Sequence, residues 1–168
     1  EKESSMITQE RLKELFSYDA ATGHLTRKVA RGPATGGVRA GCINTTTGYR
    51  HIKIDYRLYQ EHRLVWLFIH GSFPPDCLDH INGVKDDNRF DNLREATYSE
   101  NNMNQGLQSN NTSGFKGVDY LKSSGKYRAR ISINRTTKAL GYYTTREEAH
   151  IVYCEASLKY HKEFSRTN

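Results

Sequence analysis

The chain has 168 residues, 36% hydrophobic and 26% charged, with a formal net charge of +6, the make-up of one ordinary folded domain or two small ones rather than of a disordered or fibrous protein. No stretch approaches the roughly 18 consecutive apolar residues of a membrane-spanning helix and no apolar leader core opens the chain, so a cytoplasmic protein without membrane contact is expected. Cys42, Cys77 and Cys154 are odd in number, far apart and form no Cys-x-x-Cys pair, which argues against a disulfide framework and a structural zinc.

Residues 1–5, ahead of Met6, are read as an expression remnant or an alternative start and set aside. Thr8 is a helix cap for a short amphipathic helix carrying Leu12, Leu15 and Phe16, and Asp19 to Gly23 is a turn. Gly32 to Gly41 holds four glycines and a proline, too many for a regular element, and reads as a mobile or DNA-facing loop. Tyr49 to Tyr59 alternates as a strand pair. From Glu61 the period changes: Leu64, Val65, Phe68 and Ile69 form a helical stripe ended by Gly71, Pro74 and Pro75, with Trp66 off the stripe at the edge of the core.

Cys77 to Ile81 suits a strand, Asn82 to Asp91 a polar loop, Leu93 to Thr97 a second strand, and Ser99 opens a helix. The polar, aperiodic residues 106–112 mark a linker. The last third, residues 113–168, holds 11 Lys and Arg against 5 Asp and Glu, while the first 112 residues hold 14 of each. Concentrated positive charge of this kind suits a polyanion. Within it, Lys116 to Tyr120 is a first strand, Ser123-Ser124-Gly125 a turn, and Lys126 to Asn134 a strict alternation. Lys126, Arg128, Arg130 and Ser132 point one way; Tyr127, Ala129, Ile131 and Ile133 point the other. A third strand, Lys138 to Tyr143, precedes a helix with a capping box at Thr144 or Thr145, whose Ala149, Val152, Tyr153, Ala156 and Tyr160 face the sheet.

The run Leu78-Asp79-His80-Ile81-Asn82-Gly83, then Asn88-Arg89, Asp91-Asn92-Leu93-Arg94 and Ser99-Glu100-Asn101-Asn102 collects a carboxylate, an imidazole and amides on three successive elements. Asp79 and the Asn101 carbonyl can offer oxygen ligands to a hard divalent cation. His80, which titrates near neutrality, can accept a proton from water. Because neighbouring strand residues face opposite sides, Asp79 and His80 can serve one reaction only if the strand ends or twists there.

From His62-Arg63-Leu64 through Asn101, about 45 residues resemble HNH endonucleases of phage and homing type. That resemblance implies an α+β protein with a ββα-metal core: His80 as general base, Asn92 orienting it, Asp79 and Asn101 as ligands of Mg²⁺ or alternatively Mn²⁺, and double-stranded DNA as substrate. His62 and Arg63, at a helix start, are either phosphate contacts or structural residues. Asn82 and Asn88 are read as loop-backbone partners, and His24, His51, His70, His150 and His161 as surface or packing residues.

The second run is Ser113-Gly114-Phe115-Lys116-Gly117-Val118, Lys126-Tyr127-Arg128-Ala129-Arg130-Ile131, Leu140-Gly141-Tyr142 and Glu147-Glu148-Ala149 through Ala156. It is similar to the APETALA2-type DNA-binding domain, which implies a three-stranded antiparallel sheet backed by one helix. Lys116, Tyr120, Lys122, Lys126, Arg128, Arg130, Lys138 and Tyr142 are the expected DNA contacts. The domain plan is therefore 6–60 leading in, 61–105 nuclease core, 106–112 linker and 113–168 DNA-binding module. The expected protein is a monomer, or alternatively a dimer, that nicks DNA without a small-molecule cofactor and serves a homing or other phage role. The rival reading is a DNA-binding regulator in which the ββα unit is only a scaffold.

Overall fold

The computed structural model describes residues 6–29, 37–133 and 135–167; the expectations for residues 1–5 and for the centre of the glycine-rich loop lie outside these. The protein is α+β, with small antiparallel sheets and short helices. It divides into two compact units after Glu95, ahead of residues 106–112. That polar stretch leads into a segment organised by side chain–backbone bonds: Asn111 Oδ1 accepts from Gly114 N, and Asn111 Nδ2 donates to the Phe115 carbonyl. No helix among the described residues is long and apolar enough to cross a membrane.

The first unit opens with α1 (Gln9–Leu15), where the Thr8 hydroxyl accepts the Arg11 amide as the expected cap. Strands β1 (Phe16–Asp19) and β2 (His24–Arg27) pair around the expected turn, whose Asp19 side chain accepts from Ala21 N and Thr22 Oγ1. Strands β3 (Cys42–Ile43), β4 (Arg50–Ile54) and β5 (Arg57–Gln60) form a second sheet. Asp55 and Tyr56 connect β4 to β5 with φ of 44° and 68°, the left-handed pair of a two-residue hairpin.

Helix α2 (Glu61–His70) ends on a left-handed Gly71. Its buried face carries Leu64, Val65, Trp66 and Leu67, whereas Ile69 is exposed. The apolar stripe is thus turned from the expected one, and Trp66 closes the core edge against Phe90 and His70. Leu12, Phe16, Leu25, Ile52, Ile54, Leu64 and Val65 fill this core. Strand β6 (Cys77–His80) then pairs with β7 (Leu93–Ala96).

In the second unit α3 (Tyr98–Met103) is capped by Thr97 with Glu100 reaching back, so the cap is Thr97 rather than Ser99. Strands β8 (Val118–Leu121), β9 (Lys126–Ile133) and β10 (Thr136–Tyr143) form a sheet with β9 central, backed by α4 (Arg146–His161), which Thr145 and Glu148 start with the expected capping box. Val118, Ala129, Ile131, Ala149, Tyr153 and Ala156 make the core. Tyr160, expected to face the sheet, is exposed; Ser157 and His161 are buried instead, because His161 Nε2 meets the Ser132 carbonyl at 3.0 Å. Gly117, at φ 73°, leaves room for the Tyr153 ring where any Cβ would collide with it.

Candidate active site

His80 is the last residue of β6, and the chain turns directly after it, with Gly83 N donating to the His80 carbonyl. The strand-end condition for Asp79 and His80 is met. Both are nearly fully buried, at 3% and 4% exposure. Buried charge needs a partner: Arg94, on β7, donates Nε to Asp79 Oδ2 at 2.8 Å and lies within ion-pair distance through Nη2 at 2.7 Å. Burial pushes the His80 imidazole below the ordinary histidine range; its bond to Asn88 and the Asp79 charge oppose that shift. A neutral ring at physiological pH is the form that accepts a proton.

The partner of His80 corrects the sequence expectation. Its Nε2 lies 3.0 Å from Asn88 Oδ1, and Asn88 Nδ2 donates to Glu61 Oε2 at 2.7 Å. Asn92, expected to orient His80, is spent on the loop: its Oδ1 accepts from Asn82 N, and its Nδ2 donates to Asn82 Oδ1 and the Asp87 carbonyl. Asn92 shapes the turn after His80, and Asn88 bonds to the ring.

Asn88 belongs to a buried polar assembly with no signature in the sequence. Glu61 is fully buried at the start of α2, where a negative charge also suits the helix dipole. Its Oε1 accepts from Leu25 N, and its Oε2 lies 2.6 Å from Arg39 Nη2 and 3.7 Å from Arg50 Nε. Both arginines also bind Asp86, which their bonds hold below the usual carboxylate range against the opposing effect of burial. Arg39 comes from the end of the glycine-rich stretch, so that part of the loop is a structural strut rather than a free DNA-facing one. Tyr18 Oη donates to the Asn88 carbonyl and accepts from Phe90 N. Gly23, at φ 75°, lets the β1–β2 turn lie directly against Asn88 and Arg89, where a Cβ would strike the backbone.

Two other expected contacts are engaged within the protein. His62 is 5% exposed, edge-on to His80 with ring centroids 5.1 Å apart, and packs on Tyr49. Burial, with His80, Arg63 and His51 nearby, lowers it to about 3, so it is neutral and cannot offer a phosphate its charge. Arg63 Nη1 and Nη2 donate to the carbonyls of Asp76 and Pro74, beside Phe73.

In the second unit Asn101 sits half-buried in α3. Lys116 is turned inward, its Nζ donating to the carbonyls of Met103 and Arg166, and burial lowers it to about 8. The β9 alternation is as expected, but pairing register sorts the remaining contacts. Arg128 lies opposite Asp119 and Tyr142, whereas Tyr120 pairs with Tyr127 and Lys138 with Ile131. Directly opposed residues share a face, so Tyr120 and Lys138 belong to the helix-backed side. Lys126, Arg128 and Arg130 share the other face with Asp119, whose carboxylate binds Arg128 Nη2 at 2.8 Å and both Nε and Nη2 of Arg130. The cationic surface is therefore clamped by a carboxylate that sequence alternation did not reveal. Lys122 lies exposed in the β8–β9 turn.

Among the described residues no group of three or more His, Cys, Asp and Glu could hold a metal by itself. Asp79 in the first unit and Asn101 in the second each carry a hard oxygen donor, a ligand chemistry that suits a Mg²⁺-like ion rather than a four-ligand zinc centre.

A buried imidazole and a buried carboxylate thus stand side by side at the end of β6, which pairs with β7. Residues 59–103, from the end of β5 through α3, match the family model described as HNH endonuclease, and the chain carries an HNH endonuclease family domain there. Protein 3.8 of Escherichia phage T7 is 33% identical over 78 residues, 46% of this chain and 64% of its own length. The Uncharacterized HNH endonuclease L560 of Acanthamoeba polyphaga mimivirus is 32% identical over 119 residues, 70% of this chain and 61% of its own. The chain thus spans less than two thirds of each of these relatives. No solved structure matches it.

Proposed function

We propose that the protein is a metal-dependent DNA endonuclease whose reaction is carried by His80. The observation that supports this most is a buried, neutral imidazole bonded through Nε2 to Asn88, beside Asp79, inside the segment that matches the HNH family. With Nε2 donating to an amide oxygen, Nδ1 holds the lone pair and accepts a proton from water aligned with the scissile phosphodiester. The imidazolium so formed keeps its Nε2–H bond to Asn88 and gains the attraction of Asp79. Asp79 would hold a divalent cation, Mg²⁺ with Mn²⁺ as the alternative, which when bound stabilises charge on the phosphate and the leaving 3′ oxygen; Asn101 is the second ligand proposed from the family resemblance. The products are 5′-phosphate and 3′-hydroxyl ends.

The second unit, read as an APETALA2-like module, holds duplex DNA through Lys122, Lys126, Arg128, Arg130 and Tyr142. Lys116 and His62, turned inward, are no longer expected to touch DNA; Tyr120 and Lys138 are exposed on the helix-backed side of the sheet and remain candidates, and Arg63 serves the Pro74–Asp76 backbone. One base per chain cuts one strand, so a monomer nicks, in a homing or other phage-borne role. Supercoiled plasmid incubated with and without Mg²⁺, with chelator controls, tests the reading. Metal-dependent nicked circles are expected; DNA retardation without cutting, over several divalent metals, would instead make the protein a DNA-binding regulator.

A further inference from the structure

We infer that Glu61 and Asn88 are positioning residues that select the Nε2–H tautomer of His80, so that Nδ1 is the atom presented for proton transfer; the inference rests on the nuclease reading only for its use. An asparagine amide can face a histidine with either end, and the two orientations demand opposite tautomers. Here the choice is made from behind. Glu61 Oε2, held between Arg39 and Arg50, can only accept from Asn88, which turns Nδ2 toward Glu61 at 2.7 Å and Oδ1 toward His80. An amide oxygen only accepts, so His80 Nε2, 3.0 Å away, carries the hydrogen.

The relay is anchored on every side. Asn88 is 1% exposed and Glu61 fully buried, so water offers no alternative partner. The Glu61 carboxylate is fixed by Leu25 N from β2, the Asn88 backbone by Tyr18 from β1 and by the close seat at Gly23, and both arginines by Asp86. Tyr18, Gly23, Leu25, Arg39 and Arg50, all ahead of the family segment, thus anchor the pair that sets the protonation pattern of a residue on β6. Orientation of this sort is a familiar lever on histidine chemistry, because the hydrogen bond at one ring nitrogen decides which lone pair the other exposes.

The test is the ring ¹⁵N spectrum of His80 in histidine-labelled protein at pH 8, its signals identified by their loss in His80→Gln. The expected pattern is a single neutral tautomer with hydrogen on Nε2. An Nδ1–H pattern in the wild-type protein overturns the inference without any variant. Glu61→Gln, which can donate as well as accept, and Asn88→Ala are expected to give mixed tautomers. Both should lower kcat for plasmid nicking about tenfold or more with KM for DNA unchanged, while Asn88→Asp, which keeps an oxygen toward Nε2, should retain the tautomer and recover kcat above Asn88→Ala. A merely structural role predicts the reverse, since placing a second carboxylate against Glu61 is then the most damaging change; that ranking, or an unchanged tautomer in folded Glu61→Gln, would also overturn it. The spectrum is readable whether or not the protein cuts DNA, so failure here and failure of the nuclease reading are separate results.

Discussion

The two units handle charge in opposite ways. Around His80 the charges are buried: Glu61 and Asp79 are nearly inaccessible, Arg39 stands against Glu61 and Arg94 against Asp79 at hydrogen-bond distance, and Asp86 holds Arg39 and Arg50. On the β9 face the cations are half-exposed, with Asp119 paired to both Arg128 and Arg130. A buried assembly of this kind adds little net stability but admits few arrangements, since removing one partner strands the others. An exposed pair contributes about 0 to 1 kcal/mol and exchanges readily for another anion. The first arrangement suits holding one atom of one ring, and the second suits exchanging a carboxylate for phosphates.

The sharpest break in that comparison is Asp79→Asn, expected to cut the cleavage rate about 100-fold or more, the scale of losing one preorganised electrostatic group, while retardation of DNA stays unchanged. Arg94→Ala should destabilise the protein by about 3 kcal/mol, because a buried carboxylate loses its counter-charge; urea unfolding measures it, and added Mg²⁺ should restore more stability to this variant than to wild type. For the exposed face, replacing Arg128 and Arg130 together by Ala should weaken DNA binding and lower the slope of log affinity against log salt by about 0.9 for each phosphate that is no longer neutralised, with kcat intact. Asp119→Asn should act in the opposite direction, tightening binding at low salt.

The smallest effect is on pH. His62, lowered to about 3 among His80, Arg63 and His51, binds fewer protons folded than unfolded. Its burial has no pH-linked penalty above about 6.5, and stability is lost as pH falls from there toward 3, with a slope of at most about 1.4 kcal/mol per pH unit. Urea unfolding at pH 7.5 and 5 should show that loss, reduced by at most about 2 kcal/mol in His62→Phe.

What could be read from the sequence was whatever local chemistry decides. Thr8 and the Thr145–Glu148 box cap their helices, Asp19 closes its turn, and the Lys126–Ile133 alternation assigns β9 its faces, because each depends on residues a few positions apart. The Asp79–His80 pair could be singled out as a candidate for the same reason. What was hidden depends on long-range pairing. Glu61 looks like an ordinary acidic residue at a helix start until Leu25, Arg39 and Asn88 surround it. Asn88 looks like a turn residue until Glu61 orients its amide. Asp119, Tyr120 and Lys138 could be assigned to a face only through cross-strand register, which shifts between Ala139 and Gly141. Composition also misled: four glycines near Arg39 suggested a loop without anchor, whereas Arg39 itself is tied to Glu61 and Asp86.

The most direct test of the division of labour is to measure supercoiled plasmid cleavage and DNA retardation side by side for wild type and His80→Ala in Mg²⁺. His80→Ala is expected to bind DNA as wild type does while its nicking rate falls about 100-fold or more; undiminished nicking by His80→Ala would remove His80 from the reaction.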